Sequence, residues 1–319
     1  MMRMITGAWV AQTLYVAAQL GVADVIAAEG PQQVGELAAR VDANPDALHR
    51  VLRALAGVGV FSEDAAGAFS LTPLAASLRS DVPGSLRAFV IMMGEQWVWN
   101  SWREALHSVR TGEPLFDYYS AHPEVGRVGA AGLSARSAGE NAAVLAAYDF
   151  GGVDSVTDVG GGEGSLLRTI LGAYPQMRGV LFEMAHVLEL AQVALADAPE
   201  EQRCELVVGD FFTESPPTTP LVLLKKVIHD WPDERAATIL RNCRAALSTG
   251  GRLLRVENVI PPGNEPSFAK WIDLLMLVYA GGRERTIDEF RTLLTDSQFE
   301  MRRTIPTAAN VSVIEAFAI

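Results

Sequence analysis

Five polar residues stand directly after apolar, strand-like segments in the second half of the chain, and they are the first candidates for chemistry. They are Asp158, Glu183, Asp210, His229 and Glu257. Ligands of an open α/β sheet bind at the carboxyl ends of its strands. A single polar residue after a strand is ordinary capping, whereas five in equivalent positions indicate a binding site.

His229 is the strongest catalytic candidate among them. It follows one apolar segment, and Glu257 follows the next. A neutral imidazole whose second nitrogen donates to a carboxylate is a positioned general base. Glu284, in a loop that begins with two glycines, could supply a second carboxylate. The alternative is a purely structural histidine, which is the usual role of a lone histidine.

The histidines and cysteines give no sign of a metal centre. The five histidines form no H-x-x-x-H pair, and the two cysteines, Cys204 and Cys243, form no C-x-x-C motif. We therefore predict no metal site and no disulfide framework. Free thiols are typical of a reducing compartment.

A glycine-rich turn after the first of these segments predicts a cofactor site. Gly160, Gly162 and Gly164 have G-x-G-x-G spacing, and a helical pattern of apolar residues follows. Glycine suits a tight turn that a ligand must approach closely. The spacing differs from the G-x-G-x-x-G of dinucleotide binders, and no Gly-Lys-Ser/Thr follows as in a Walker loop. A plain glycine turn is the alternative.

The charge around this turn favours a cationic cofactor. Asp158 and Glu163 flank the glycines and would repel a pyrophosphate docked at the helix N-terminus. Glu183 is placed to accept hydrogen bonds from ribose hydroxyls. Asp210 could accept one from an adenine amino group, with Phe211 against the ring. Capping is the alternative for Glu183 and Asp210, and these positions alone do not separate an NAD site from an S-adenosylmethionine site.

The elements that must position these residues alternate between strands and helices from Val153 onward, so we predict an α/β domain. The predicted strands are residues 155–159, 179–183, 205–208, 221–227 and 252–256, with a closing pair at 301–305 and 311–318. Helices are predicted up to residue 196, over 232–247 and 267–279, and up to 294.

The N-terminal residues have the pattern of a winged helix. Short helices at residues 22–28, 34–41 and 45–55 precede a two-stranded wing. DNA binding is one interpretation, but the first 87 residues contain six Arg or Lys against eight Asp or Glu. Because a DNA reader needs several phosphate-facing cations, we favour a dimerisation module. The apolar residues 1–28 would then form the partner surface.

The helical middle region, residues 85–148, contains a cluster of tryptophans and methionines. The cluster consists of Trp97, Trp99, Trp102, Met92 and Met93. Such clusters are more often core, although a bowl of these side chains between two domains would suit a flat apolar substrate. We predict domains at residues 1–90, 91–150 and 151–319.

Composition narrows the class of protein. The chain has 319 residues and a net charge of −12, which argues against a polyanionic partner such as nucleic acid. No signal peptide is evident, and Gln12, Gln19 and Asp24 interrupt the apolar residues 9–28, which are therefore not a membrane span. We expect a cytoplasmic protein without a membrane partner.

Six motifs in order resemble the S-adenosylmethionine-dependent O-methyltransferases of the caffeate, acetylserotonin and hydroxyindole type, especially their bacterial natural-product members. The resemblance covers nearly the whole chain. The motifs are residues 158–164, 181–187, 209–212, 225–231, 273–277 and 281–286. The resemblance implies a Rossmann-like class I methyltransferase domain, a doubly wound sheet with an antiparallel C-terminal strand, behind a winged-helix dimerisation domain. It also implies a homodimer, with a role in secondary metabolism and antibiotic biosynthesis.

The resemblance also implies roles for individual residues. S-adenosylmethionine, with S-adenosylhomocysteine as its product, would contact Asp158, Gly160, Gly162, Glu183, Asp210, Phe211 and Lys225. His229 would take the proton from the substrate hydroxyl, with Glu257 and Glu284 orienting it. The substrate side would include Met276, Asp230, Trp99 and Met93.

The chain departs from the family pattern in two places, and these leave the substrate open. Glu183 stands where the family usually has Asp, which adds one methylene and should move the following loop slightly. Residues 126–137 are small and polar, so other substrate-facing methionines of the plant members have no clear counterpart. A member that has drifted to hydroxylation or other non-methylating chemistry is an alternative. An NAD-dependent oxidoreductase and a winged-helix DNA-binding regulator are further alternatives.

Overall fold

The computed structural model describes residues 1–114, 123–196 and 198–319, which form two compact units. The first unit contains Met1–Arg103 and the first part of a long helix, α10 (Pro123–Ala147), up to Ala138. The second contains the remainder of α10 from Gly139 and all residues after it, together with the short helix α9 (Ala105–Thr111).

The first unit is helical with one small sheet. Its elements are α1 (Met2–Ile5), α2 (Gly7–Gln19), α3 (Val22–Glu29), β1 (Gln32–Gln33), α4 (Val34–Arg40), α5 (Pro45–Ala56), β2 (Phe61–Glu63), β3 (Ala68–Leu71), α6 (Pro73–Ala76), α7 (Arg87–Gly94) and α8 (Gln96–Arg103). The sheet has the order β1-β3-β2. The two predicted strands of the wing are present as the antiparallel pair β2 and β3, and the two-residue β1, which pairs with β3, was not predicted.

Helix α5 shows how the sequence fixes this unit locally. The Asn44 side chain accepts the Ala47 N–H at 3.0 Å, and Pro45 occupies the first turn, where no N–H is needed. Leu48, Leu52 and Leu55 recur at helical spacing on the buried face. The helix thereby joins the core of the unit.

The second unit alternates strands and helices. Its remaining elements are β4 (Ser155–Val159), α11 (Ser165–Ala173), β5 (Arg178–Glu183), α12 (Ala185–Leu195), β6 (Cys204–Val208), β7 (Leu221–Lys225), α13 (Asp233–Ala245), β8 (Arg252–Glu257), β9 (Val259–Ile260), α14 (Phe268–Tyr279), β10 (Arg285–Thr286), α15 (Ile287–Asp296), β11 (Phe299–Pro306) and β12 (Ser312–Ala318). Short 3₁₀ turns span Glu201–Arg203 and Ile228–Asp230.

A seven-stranded sheet organises this unit, in the order β11-β12-β8-β7-β4-β5-β6. Strands β4 to β8 are parallel, whereas β12 is antiparallel to both β8 and β11. The predicted doubly wound sheet with an antiparallel C-terminal strand is confirmed. From β4 the chain continues to β5 and β6 on one side, and from β7 it continues to β8 on the other side. The switch point therefore lies between β4 and β7, and ligands bind at such points in open sheets.

Both faces of the sheet are covered, because side chains alternate along each strand. On β7, Val222 and Leu224 face a core formed with α13 and α15. Leu221 and Leu223 face the opposite core, which includes side chains of α10, α11 and α12. The strands are therefore fixed from both sides, and their carboxyl ends form one rigid edge.

The strand that leads to His229 is shorter than predicted. β7 ends at Lys225, because Lys226 adopts the left-handed backbone conformation with φ +52°. The chain then enters the 3₁₀ turn Ile228–Asp230, which holds His229. The histidine thus projects from a tight turn and not from a strand end.

In the described residues, no single helix has the length and apolar composition of a membrane span. Helices α2 and α3, bent by 55° where they meet, pass that test only as a pair.

Candidate functional site

The glycine turn after β4 comes close to the segment that leads to His229. A Cβ at Gly160 would lie 2.9 Å from Val227 Cγ2 and 3.3 Å from Phe211 Cε1, and its φ is +67°. At Gly162, with φ +60°, no described atom lies within 4 Å of the corresponding position. The turn is therefore tightly packed at Gly160 and open at Gly162.

Asp158, on β4, brings a buried carboxylate to this turn. Burial raises the pKa of Asp158 to about 7; the Lys225 charge lowers it and the Glu183 charge raises it further. Its Oδ1 finds no hydrogen-bond partner among the residues that the structure describes. A buried acceptor without a donor is costly for a protein, so this oxygen is available to a ligand.

Glu183 is the last residue of β5 and is 9% exposed. Its Oε2 accepts the Met184 N–H at 2.6 Å. Burial raises the pKa of Glu183, while hydrogen bonds from the Met184 and Gly162 N–H groups lower it. The carboxylate is thus attached to the glycine turn.

Asp210 and Phe211 follow β6 and differ in what the structure assigns to them. Asp210 is exposed, and its Oδ1 accepts the Phe212 N–H at 2.8 Å. This hydrogen bond is the local capping role that the sequence offered as the alternative to cofactor binding. The Phe211 ring meets Phe212 edge to face at 4.9 Å between centroids. Asn242 Nδ2 donates to the Phe211 backbone carbonyl at 2.9 Å, and the Phe211 ring lies beside Gly160.

Lys225 connects the end of β7 to α10. Its Nζ donates to Asn141 Oδ1 at 2.6 Å and lies 3.5 Å from Glu140 Oε2. Burial lowers the pKa of Lys225 to about 8, although Glu140 raises it. Asn141 Nδ2 in turn donates to Ser165 Oγ, at the start of α11, at 3.0 Å. Sequence reasoning missed Asn141 and Glu140, because nothing in a helical pattern indicates a partner more than eighty residues away.

His229 is held by Glu284. The Nδ1 atom donates to Glu284 Oε1 at 3.0 Å, and the Nε2 atom lies 3.4 Å from Asp230 Oδ1. Both His229 and Glu284 are buried. Sequence reasoning placed Glu257 first as the orienting carboxylate, but the hydrogen bond is made to Glu284.

Glu257 completes a compact group. His229, Glu257 and Glu284 place their side-chain nitrogen and oxygen atoms within 4.8 Å of one another. Such a group could hold a metal ion, which spacing in the sequence could not indicate because the residues come from three elements. Glu257 has no hydrogen-bond partner in the described part of the chain, and the nearest cation is Arg255 Nη2 at 3.6 Å.

Asn258 and Arg255 extend the group, and sequence reasoning missed both. Asn258 Nδ2 donates to Glu284 Oε1 at 2.6 Å. Arg255 is fully buried, and its guanidinium lies 4.3 Å from the centroid of the Phe290 ring. An arginine two residues before Glu257 in an otherwise apolar strand was the available signal, since alternate residues share a face.

The carboxylates determine the charge of His229. Burial lowers the pKa of His229, but the Asp230 charge, the Glu284 hydrogen bond and the Glu257 charge raise it to about 9. Burial also raises the pKa of Glu257. The three carboxylates therefore favour the protonated imidazole, whereas the sequence-based interpretation considered the neutral form.

The candidate substrate residues are divided between the two units. Met276 is a buried residue of α14, a helix whose N-terminus is capped by the Ser267 hydroxyl, which accepts the Ala269 N–H at 3.2 Å. Asp230 belongs to the His229 turn. Met93 on α7 and Trp99 on α8 belong to the first unit, where both are half-buried. In the small, polar stretch 126–137, the side chains of 126, 127, 129–131 and 135 lie outside the described residues.

Comparisons with known proteins agree on one family. A family model for an O-methyltransferase domain matches residues 93–300, and a model for an O-methyltransferase dimerisation domain matches residues 2–81. The phenazine O-methyltransferase of Lysobacter antibioticus is 46% identical over 325 residues, covering 99% of this chain and 95% of that protein.

Two further proteins show the range of the similarity. The phenazine-1-carboxylate N-methyltransferase of Pseudomonas aeruginosa is 31% identical, over 99% of this chain and 96% of that protein. The crystal structure of CalO1, a methyltransferase in calicheamicin biosynthesis in its SAH-bound form, has a TM-score of 0.91 at 34% identity, and covers 99% of this chain and 96% of that chain.

Proposed function

The chain belongs to the O-methyltransferase family, and on that premise we propose that it transfers the methyl group of S-adenosylmethionine to a hydroxyl group of a small aromatic or polycyclic natural product. The observation that supports the proposal most is the 3.0 Å hydrogen bond between His229 and Glu284 beside the glycine turn. A base of this kind is needed where the acceptor must lose a proton.

The residues around the glycine turn suit a cationic cofactor. Asp158 has a buried oxygen without a partner among the described residues, and Glu183 is a second carboxylate at the same turn. Gly162 leaves the backbone accessible, while Gly160 packs closely against Val227 and Phe211. These residues would hold S-adenosylmethionine, which supplies a methyl group already activated by its sulfonium. The SAH-bound structure of a relative supports this assignment.

The role proposed for His229 follows from its two nitrogens. Because Nδ1 donates to Glu284, Nε2 is the atom that would take the hydroxyl proton of the acceptor. Glu284 keeps the ring oriented and stabilises the imidazolium that forms, with Glu257 adding negative charge nearby. General bases contribute roughly 10²–10⁴-fold to rate, whereas positioning of the reactants can contribute about 7–11 kcal/mol.

The acceptor class is suggested by the relatives. The Lysobacter protein is named as a phenazine O-methyltransferase. We therefore propose a hydroxylated, flat polycyclic acceptor such as a hydroxyphenazine. Met276, a buried residue of α14, would contact its ring.

The proposal is tested with hydroxyphenazines and S-adenosylmethionine, followed by mass spectrometry. A gain of one methyl group on oxygen is expected. A gain of one oxygen atom would instead assign the chain to hydroxylation. EDTA is expected to leave the rate of methyl transfer unchanged. If EDTA abolishes the activity and a divalent ion restores it, the group His229, Glu257 and Glu284 binds a metal ion.

The base role is tested by His229→Gln and His229→Ala. We expect turnover to fall 10²–10⁴-fold with the Kd for S-adenosylmethionine unchanged within about twofold. His49→Gln, in the first unit, is the matched control and is expected to keep wild-type turnover. Unchanged turnover in both His229 variants would remove the base role and favour an acceptor nitrogen that has no proton to lose, as the N-methyltransferase relative suggests.

A further inference from the structure

We infer that Arg285 is a positioning residue, which holds the His229 turn at hydrogen-bond distance from Glu284. The inference rests on the proposed function, because it concerns the residue assigned there as the base. Arg285 directly follows Glu284 in the chain, and it is fully buried.

The guanidinium of Arg285 binds both ends of the His229 turn. Its Nη1 donates to the Ile228 carbonyl at 3.1 Å, and its Nη2 donates to the Trp231 carbonyl at 2.9 Å. Its Nε and Nη2 also donate to Asp233 Oδ1 at 2.9 and 2.7 Å. One side chain therefore connects the loop that contains Glu284 to the residues on either side of His229.

The backbone around Glu284 reinforces this connection. Arg283 N–H donates to the His229 carbonyl at 2.7 Å, and Glu284 N–H donates to Asp273 Oδ1 at 2.9 Å. A Cβ at Gly282 would lie 2.1 Å from the His229 carbonyl oxygen. Only a glycine allows the loop this close to the turn.

The geometry favours positioning over a purely structural role. A buried arginine is costly, and removing one partner of a buried ion pair is destabilising, so a loss of stability alone does not separate the two roles. Here the acceptors of its hydrogen bonds flank His229, at residues 228, 231 and 233. If Arg285 is removed, the turn keeps the Arg283 N–H bond to the His229 carbonyl but loses the hydrogen bonds to the carbonyls of Ile228 and Trp231.

The charged groups that face His229 determine how the loss of positioning by Arg285 can be detected. They are Asp230 on the same turn, Glu257 on β8, Glu284 before β10, and the guanidinium of Arg285 itself, which donates to the backbone of the turn. The Glu284 hydrogen bond is one of the interactions that raise the pKa of His229. Displacing Glu284 while the others stay should therefore lower this pKa, which unfolding or general loosening of the core would not do selectively.

The test compares Arg285→Met and Arg285→Lys with the control Arg291→Met, whose arginine is exposed on α15. In Arg285→Met we expect kcat to fall roughly 10–100-fold and KM for S-adenosylmethionine to change less than about twofold. Arg285→Lys keeps the charge but cannot form the forked set of hydrogen bonds, so a loss of roughly 3–10-fold is expected. NMR titration of labelled histidine should show the midpoint of His229 about one pH unit lower in both variants.

The outcomes separate the inference from the proposed function. If the Arg285→Lys protein folds and has the kcat and the His229 titration of the wild type, the inference is overturned. This variant decides the test even if Arg285→Met does not fold. If His229→Gln keeps wild-type turnover, the base role fails. The NMR titration then still decides whether Arg285 holds His229 against Glu284, since it does not depend on catalysis.

Discussion

At the scale of single residues, three carboxylates determine how tightly His229 holds its proton. Asp230, Glu257 and Glu284 surround an imidazole that is buried, and together they raise its pKa to about 9. A base must be neutral to act, so the charge of this group governs the reaction as much as its geometry does. Two predictions follow from the sign of the shift.

The first prediction concerns the pH dependence of turnover. Because kcat/KM reports the free enzyme, kcat/KM for the cofactor should rise about tenfold between pH 7 and 8, reach half its maximum near pH 9 and level above that pH. In the complex, the positive sulfonium disfavours the imidazolium, so the rise in kcat should lie at lower pH. Initial rates from pH 6 to 10 give both profiles. Profiles that are flat over this range would contradict the prediction.

The second prediction concerns stability. The pKa of His229 is raised from the ordinary value of 6.5 to about 9 in the folded protein, chiefly by the neighbouring carboxylates. Its protonation therefore stabilises the fold fully below pH 6.5, and this contribution is lost as the pH rises through 9. Urea unfolding of wild type and His229→Gln should differ more at pH 6 than at pH 9.5, by on the order of 1–3 kcal/mol. A difference independent of pH would show that the histidine is neutral in the fold.

At the scale of elements, the glycine turn after β4 is closely packed at Gly160. Gly160→Ala would place a methyl group against Val227 and Phe211 and force a left-handed φ on alanine. The backbone conformation alone costs about 1–2 kcal/mol. We expect the Kd for S-adenosylmethionine, measured by calorimetry, to rise at least about tenfold.

Gly250→Ala is the matched control for this variant. Gly250 also has a left-handed φ, of +81°, but no described atom lies within 4 Å of its added Cβ. It should lose a similar amount of stability and keep its cofactor affinity. If both variants bind the cofactor as wild type does, the turn is not part of the cofactor site.

The elements also show what the sequence could predict. The apolar runs of β4, β5, β7 and β8 and the capping residues of the helices predicted these strands and helices and their order along the chain, because burial of a strand on both faces leaves a continuous apolar run. The 3₁₀ turn at His229 was missed, since it depends on one left-handed residue, Lys226. Arg285, Asn258 and Asn141 were missed because their partners lie 26 to 84 residues away, and such distances leave no periodicity.

At the scale of the whole molecule, the apolar N-terminal surface predicts association. Several large apolar side chains of α1 and α2 are exposed, namely Met2, Met4, Ile5 and Trp9. The match to a dimerisation-domain model over residues 2–81 supports a homodimer that buries them.

This surface gives a prediction for the oligomeric state. Trp9, which is 70% exposed, would be replaced by glutamate, and light scattering should show a shift from dimer towards monomer. Trp271→Glu on α14, where the side chain is 65% exposed, is the matched control and should leave the mass unchanged. A dimer that persists in Trp9→Glu and dissociates in Trp271→Glu would place the contact on the second unit.

The pairing of β12 with β8 has a consequence for how the protein is made. Glu257 faces Ser312 across that pair. Strand β8 can pair with β7 as soon as it is made, but its other edge lacks β12 until residue 312 and those after it have been synthesised. At about 5–20 residues per second, the ribosome needs roughly 3–11 seconds for the intervening stretch. Throughout that interval an unpaired strand edge next to the future site is open to other chains. Nascent chains that stall between residues 284 and 312 should aggregate, although every proposed catalytic residue has already been made by then.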